Sequence, residues 1–169
     1  MTLSLRTASL TDSRFFYNLR TYEPYQQYFS SGTSIAFSDH ERWFTSRLQS
    51  PINLLYVASS TLCDVGYVRF EPLSLFNGFE ISFAIAPSQL RKGYSAPMIS
   101  QSLHQFRSNI LSHDSLCIIA NVFDHNIPSI ATLLKCGFSK LYQNNDLISL
   151  DAVAMQSPKL DMHSYIILL

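Results

Sequence analysis

One tract limits the folds open to this chain more than any other. Phe79–Ala86 is an apolar run that Pro87 stops; residues 88–95 are small, polar and basic; a long helical pattern then runs to about Ile110. Proline has no N–H to give to a ladder and fixes its own φ, so the strand ends there. The chain must pass from strand through a short loop into a helix. Such a unit needs neighbouring strands and a helical layer to bury its apolar sides.

The rest of the chain supplies them. Leu3 and Leu5 alternate with Ser4 and Arg6, a half-buried strand. Thr11 or Asp12 can cap a helix that carries Phe15, Phe16 and Leu19 on one side. Residues 21–37 mix Tyr22, Tyr25, Tyr28, Phe29 and Phe37 with Pro24 and Gly32, which reads as an aromatic loop or a broken helix. Ser38-Asp39-His40-Glu41 has the S-x-x-E form of a capping box, so a second helix should start near Ser38 and stop before Pro51. Strands follow at Leu54–Ser59 and Val65–Phe70, with Ser60–Asp64 of hairpin length between them. Residues 72–78 read as a loop, and Leu116–Val122 as a buried strand. Asn126 can cap a short helix with Pro128 in its first turn and Gly137 past its end. Phe138–Tyr142 and Tyr165–Leu169 look like the last strands, and 144–160 has no clear pattern. The expected order is β-α-α-β-β-β-α-β-α-β-β, an α+β or mixed α/β fold in one domain over residues 1–169.

Composition excludes several classes. The formal net charge is zero and 14% of residues are charged, so no basic surface asks for nucleic acid or acidic lipid. So low a charge content leaves room for apolar surface covered by a ligand or a second copy, a possible homodimer. No apolar stretch reaches the ~20 residues of a membrane span. The opening MTLSLRTASL lacks a long apolar run, which reads as no signal peptide and a cytoplasmic, soluble protein. Cys63, Cys117 and Cys136 have no metal-type spacing and read as buried reduced thiols. His40, His104, His113, His125 and His163 form neither HxH nor HExxH, so no metal is expected.

Two segments carry chemistry. In Glu80–Ala96, EISFAIAPSQLRKGYSA, a strand feeds a helix through a loop with Arg91, Lys92 and Gly93. A helix N-terminus presents N–H groups and partial positive charge, and a loop of small residues lets phosphate oxygens approach. An ordinary βα turn with solvated basic residues reads equally well from this segment alone. The second segment, Asn126–Phe138, reads alone as a capped helix with a glycine stop.

Together the segments resemble the signature of the GNAT acetyltransferases. Pro87 and Gly93 match the family's strand–Pro–(R/Q)xxGx(G/A) loop; Asn126, Ser129, Lys135, Gly137 and Phe138 match its Asn-x-x-Ser…Lys-x-Gly-Phe helix. The resemblance covers nearly the whole chain. It implies a central mixed, largely antiparallel, splayed sheet of about seven strands flanked by about four helices. The series Leu5-Arg6-Thr7-Ala8, Leu19-Arg20, His40–Phe44 and Gly66–Phe70 is similar to acetyltransferases of nonulosonic-acid pathways, which act on nucleotide-linked amino sugars. It is less closely similar to those that modify ribosomal-protein N-termini. Leu90 stands at the loop's first Arg/Gln position, Ser95 at its last glycine, and Leu133 where many members carry a tyrosine acid.

The resemblance implies acetyl-CoA as acyl donor and a small-molecule amine, a nucleotide sugar, as acceptor. Alternatives are a protein N-terminus or small amine, and a domain that binds acyl-CoA without catalysis. Phe83, Ala84 and Ile85 are the implied pantetheine contacts. Arg91, Lys92, Gly93, Tyr94, Ser95, Ala96 and Asn126 are the remaining cofactor positions. Glu80 is the candidate base, against a plain strand-start carboxylate. Ser129 is the candidate proton donor to sulfur, against a helix-end hydrogen bond, with Tyr142 as a further donor. Arg20 and Arg69 can hold an anionic acceptor, and Tyr28 and its aromatic neighbours can stack on a base or sugar. His40 and Trp43, near the same loop, are further candidate acceptor contacts, His40 against a capping or packing role.

Overall fold

The computed structural model describes residues 2–29, 35–52, 54–73, 78–110, 116–141 and 161–169. Its strands are β1 (Ser4–Thr7), β2 (Leu55–Ser59), β3 (Asp64–Pro72), β4 (Gly78–Ile85), β5 (Cys117–Phe123), β6 (Ser139–Lys140) and β7 (Met162–Leu168). Its α-helices are α1 (Ser13–Thr21), α2 (Phe37–Leu48), α3 (Ser95–Ser108) and α4 (Ile127–Lys135). Short 3-10 turns fill Leu10–Asp12, Glu23–Tyr28 and Pro87–Gln89. The strands pair in the order β1-β2-β3-β4-β5-β7-β6. The pairs β1–β2, β2–β3, β5–β7 and β6–β7 are antiparallel, and β4–β5 is parallel. This is the mixed, mostly antiparallel sheet that the family resemblance implied.

The chain forms two compact units, Met1–Phe70 with Ser82–His113, and Glu71–Ile81 with Asp114–Leu169. In the first, Phe16 stacks on Tyr67 with centroids 4.3 Å apart and meets Phe44 edge-on. Phe70 stacks on Phe106 at 3.9 Å, and the fully buried Tyr56 meets the same ring edge-on. The Tyr56 hydroxyl accepts from Asn109 Nδ2, so its polar end is satisfied in the core. Gly66 lies where β3 passes β4: a Cβ there would sit 2.3 Å from the Ala84 carbonyl oxygen.

In the second unit β5 is apolar almost throughout because a strand buried on both faces cannot alternate. All of it pairs with β7, from Cys117↔Leu168 to Phe123↔Met162. The ladder between β4 and β5 holds three pairs, Gly78↔Cys117, Phe79↔Ile118 and Glu80↔Ile119. Asn126 caps α4 through its side chain, and Gly137, at φ 91°, takes the left-handed position after the helix that disfavours a Cβ.

Several expectations need correction. The Ser38 capping box does not form: Ala36 is the N-cap and Ser38 lies inside the first turn of α2. Phe37 meets Tyr17 edge-on at 5.1 Å and lies under the Arg14 guanidinium at 3.5 Å, contacts that start the helix one residue earlier. Asp12 does hold the N-cap position of α1, but makes no side-chain cap there. Its carboxylate instead binds Arg6 and the Ser9 backbone N–H. Cys63 is exposed in the β2–β3 hairpin, and Cys117 and Cys136 are half-buried, so the thiols form no disulfide among the described residues and are not all interior. The strand expected at Phe138–Tyr142 is confined to Ser139–Lys140 among the described residues, and the last strand begins at Met162 rather than Tyr165. Tyr142, His113 and the tract 144–160 lie outside the described residues.

Candidate active site

The loop after β4 has an unusual backbone. Leu90 is extended, Arg91 has φ 61° and Gly93 has φ 77°, and Tyr94 begins the helical turn as N-cap of α3. A left-handed arginine is uncommon because its Cβ crowds the following carbonyl. Two positive-φ residues in three set this backbone apart from the strand and the helix it joins. A Cβ at Gly93 would meet nothing within 4 Å, so the surface there is open as well as left-handed. Arg91, Lys92 and Gly93 are exposed; Tyr94, Ser95 and Ala96 are half-buried at the positive end of α3. Lys92 Nζ donates to Gln89 Oε1 at 3.1 Å.

Upstream on β4, Ala84 is buried while Phe83 and Ile85 are half-buried. The Ile85 carbonyl accepts the Tyr25 hydroxyl at 2.7 Å. Burial, then the neighbouring Tyr22 and Tyr28, push the Tyr25 phenol up to about 12, so it stays protonated and keeps donating. The aromatic tract is thereby tied to the strand expected to hold pantetheine. Nothing local to Tyr25 in the sequence announces a partner 60 residues away.

Four of the five expected acceptor residues come together. Arg20, His40, Trp43 and Arg69 line one cavity of about 270 Å³, with Phe16, Phe29, Ile35, Asp39 and Tyr67 completing its wall. Tyr28 ends the 3-10 turn and is not among the lining residues. The Arg20 guanidinium lies 3.8 Å over the Phe29 ring, and that of Arg69 lies 5.3 Å from the Trp43 centroid. Rings attract the cations and hold them in place. Burial, and then the like charge of Arg69, lower the Arg20 pKa, with Tyr67 opposing; an arginine stays charged through such shifts. Asp39, the one acidic side chain among the described residues of the wall, pairs with the exposed Arg42. The described residues of the wall thus carry a net positive charge.

His40 is buried, with Nε2 3.0 Å from the Ser13 carbonyl oxygen. A carbonyl only accepts, so Nε2 carries the proton and Nδ1 is the acceptor nitrogen. Burial is the largest of the effects that hold the His40 pKa below its usual value, so the ring is neutral at pH 7. Tyr67 and Asp39 escaped the sequence reading. Tyr67 had a signal: it is two residues from Arg69 on a strand and therefore shares its face.

The second unit carries the other candidates. Glu80 is half-buried near the start of β4, and its Oε1 accepts from Asn121 Nδ2 at 3.2 Å. Asn126 Oδ1 accepts the Ser129 backbone N–H at 3.3 Å, so that oxygen serves the helix and only Nδ2 can still donate to a cofactor. Ser129 is half-buried in the first turn of α4. Leu133 is fully buried, so the usual tyrosine position is core. Among the described residues no cluster of three His, Cys, Asp or Glu side chains forms a metal site, and no helix is long and apolar enough to cross a membrane.

Known proteins share this architecture. The spermidine N-acetyltransferase of Vibrio cholerae, solved with CoA and spermine, superposes with a TM-score of 0.75 at 19% identity, covering 98% of this chain and 95% of that one. The ribosomal-protein-alanine N-acetyltransferase of Brucella melitensis gives a TM-score of 0.73 at 17% identity, with 98% and 99% covered. A GNAT-family acetyltransferase of Streptococcus pneumoniae gives 0.72 at 13%, with 99% of each chain covered. At these identities the likeness speaks for the fold. No curated protein sequence is similar enough to this one to count as a match. The family model for the acetyltransferase (GNAT) domain, however, matches residues 2–139. A match over so much of the sequence makes the chain a member of the GNAT acetyltransferase family.

Proposed function

We propose that this GNAT acetyltransferase moves the acetyl group of acetyl-CoA to a primary amine on an acceptor that also carries negative charge, a nucleotide-linked amino sugar. The observation that carries the reading is the cavity wall in which Arg20 and Arg69 stand on aromatic rings, with one carboxylate already paired to Arg42. A phosphate is matched by such a pair of guanidinium groups, and Trp43 and Phe29 offer faces to a base or sugar. A polyamine, the acceptor class of the Vibrio cholerae neighbour, would bring positive charge against two arginines.

The cofactor positions fit an acyl-CoA. Arg91, Lys92 and the left-handed backbone at Gly93 supply charge and dipoles for a pyrophosphate, beside the positive end of α3. Phe83, Ala84 and Ile85 would pair with pantetheine along β4, the Ile85 carbonyl already sharing its lone pairs with Tyr25. When bound, acetyl-CoA supplies the activated acyl group. Glu80 takes a proton from the acceptor's ammonium group, which frees the amine lone pair for attack on the thioester carbon. The C–N bond forms and the C–S bond breaks; the Ser129 hydroxyl gives a proton to the departing sulfur and is made whole by the second proton that the nitrogen sheds as it becomes an amide.

The test is a thiol-release screen against a nucleotide-linked amino sugar, an alanyl peptide and spermidine. The sugar nucleotide should give the highest kcat/KM, and Arg69→Ala should raise its KM without lowering kcat. Preference for spermidine, or no thiol release with any amine, would refute the reading.

A further inference from the structure

Glu80 does not stand alone on its strand. Asn121 lies on β5 two residues beyond Ile119, the partner of Glu80, so the two side chains are diagonal neighbours on one face of the sheet. Ser164 on β7 pairs with Asn121 in register. The three polar side chains form a row across three strands. Ser164 Oγ donates to Asn121 Oδ1 at 2.7 Å, and Asn121 Nδ2 donates to Glu80 Oε1 at 3.2 Å.

Chemistry fixes the direction of this row. An ionised carboxylate only accepts, so the amide must turn its NH₂ toward Glu80. That turns the amide oxygen toward Ser164, whose hydroxyl must then donate. Flipping the amide would set its oxygen against the carboxylate and lose that bond. The row has one satisfied arrangement, and it ends on a single oxygen of Glu80.

We infer that Asn121, held by Ser164, is a positioning residue that aims the Glu80 carboxylate so that Oε2 takes the proton from the acceptor amine. The inference rests on the reading of Glu80 as the base. Neither residue touches substrate in this account. Both act through the angle of a half-buried carboxylate that would otherwise sample several rotamers. A row that only ties three strands together would affect folding and leave turnover alone.

A double-mutant cycle separates the two. Asn121→Leu, which keeps the branching and heavy-atom count and removes the amide, should lower kcat roughly tenfold to a hundredfold, the range for a lost hydrogen bond to a charged group, with the KM for acetyl-CoA unchanged. In a Glu80→Gln background the same change should cost nothing further, because the base it positions is gone. Ser164→Ala, a milder change that keeps the fold if Asn121→Leu does not, should also lower kcat, and Ser164→Thr should restore it. Equal losses from Asn121→Leu in both backgrounds, or a wild-type kcat in Asn121→Leu and Ser164→Ala, would overturn the inference while leaving Glu80 as base. A wild-type rate in Glu80→Gln itself would overturn both.

Discussion

Gly66→Ala is a one-methyl change whose effect can be worked out from the geometry. The added Cβ would lie 2.3 Å from the Ala84 carbonyl oxygen, 3.1 Å from Met98 Sδ and 3.2 Å from Ile85 Cα. Real Cβ atoms essentially never come within 3.0 Å of a heavy atom, so β3 and β4 must part locally by at least about 0.7 Å. The Met98 side chain can swing away, but the other two atoms are strand backbone. Overpacking of this kind costs about 1–3 kcal/mol. In a domain of this length each kcal/mol moves Tm by about 2–4 °C, so a loss of roughly 2–12 °C is expected. The backbone that moves is Ala84–Ile85, the stretch proposed to pair with pantetheine. Affinity for acetyl-CoA should therefore fall together with Tm. Differential scanning fluorimetry and calorimetric titration read the two quantities on one preparation. If both stay at wild-type values, the close approach of β3 to β4 is wrong, and so is the reason given for glycine at 66.

The remaining predictions concern chemistry and charge. Ser129→Ala should lower kcat more than it raises the KM for acetyl-CoA, since its hydroxyl matters as the thiolate develops. An unchanged kcat would move proton donation to Tyr142 or to solvent. Arg6, through its paired hydrogen bonds, and the Ser9 groups hold the buried Asp12 carboxyl below the usual carboxylate value, against burial, which raises it. A folded pKa below the unfolded one adds stability that is complete above the unfolded value of about 3.9 and is lost as pH falls through the folded pKa. Wild-type Tm should therefore drop on acidification below about pH 4 by more than that of Arg6→Leu. Parallel profiles would show that the ion pair gives Asp12 no such preference.

The parts of this fold governed by neighbours in sequence were legible. Pro87 ends β4, Asn126 and Gly137 bound α4, and alternation at Leu3 and Leu5 marks β1, because each depends on the local backbone alone. Arg20, His40, Trp43 and Arg69 were singled out by type and by resemblance, and they line one cavity because β3 packs beside α1 and α2. What failed depended on distant contacts. The Ser38 box has the right letters, but Phe37 packs against Tyr17 and Arg14 and starts the helix earlier. Asp12 was read as a cap when its stronger partner is Arg6, on the preceding strand. Asn121 as a site residue, and the bond from Tyr25 to the Ile85 carbonyl, were invisible because they exist only once the strands and the aromatic turn have found their register.

The central claim is that the loop from Pro87 to Tyr94 and the strand before it form an acyl-CoA site. The most direct measurement is the melting temperature with and without saturating acetyl-CoA, for the wild-type chain and for Gly93→Glu. A ligand that binds only the native state at about 100 times its Kd adds about 2.7 kcal/mol. For a domain of this length that is a rise in Tm of roughly 5–11 °C. Gly93→Glu strains the left-handed backbone and sets a carboxylate where the pyrophosphate would lie, so its Tm should start lower and not respond to the ligand. A wild-type melting curve that saturating acetyl-CoA leaves unmoved would contradict the account.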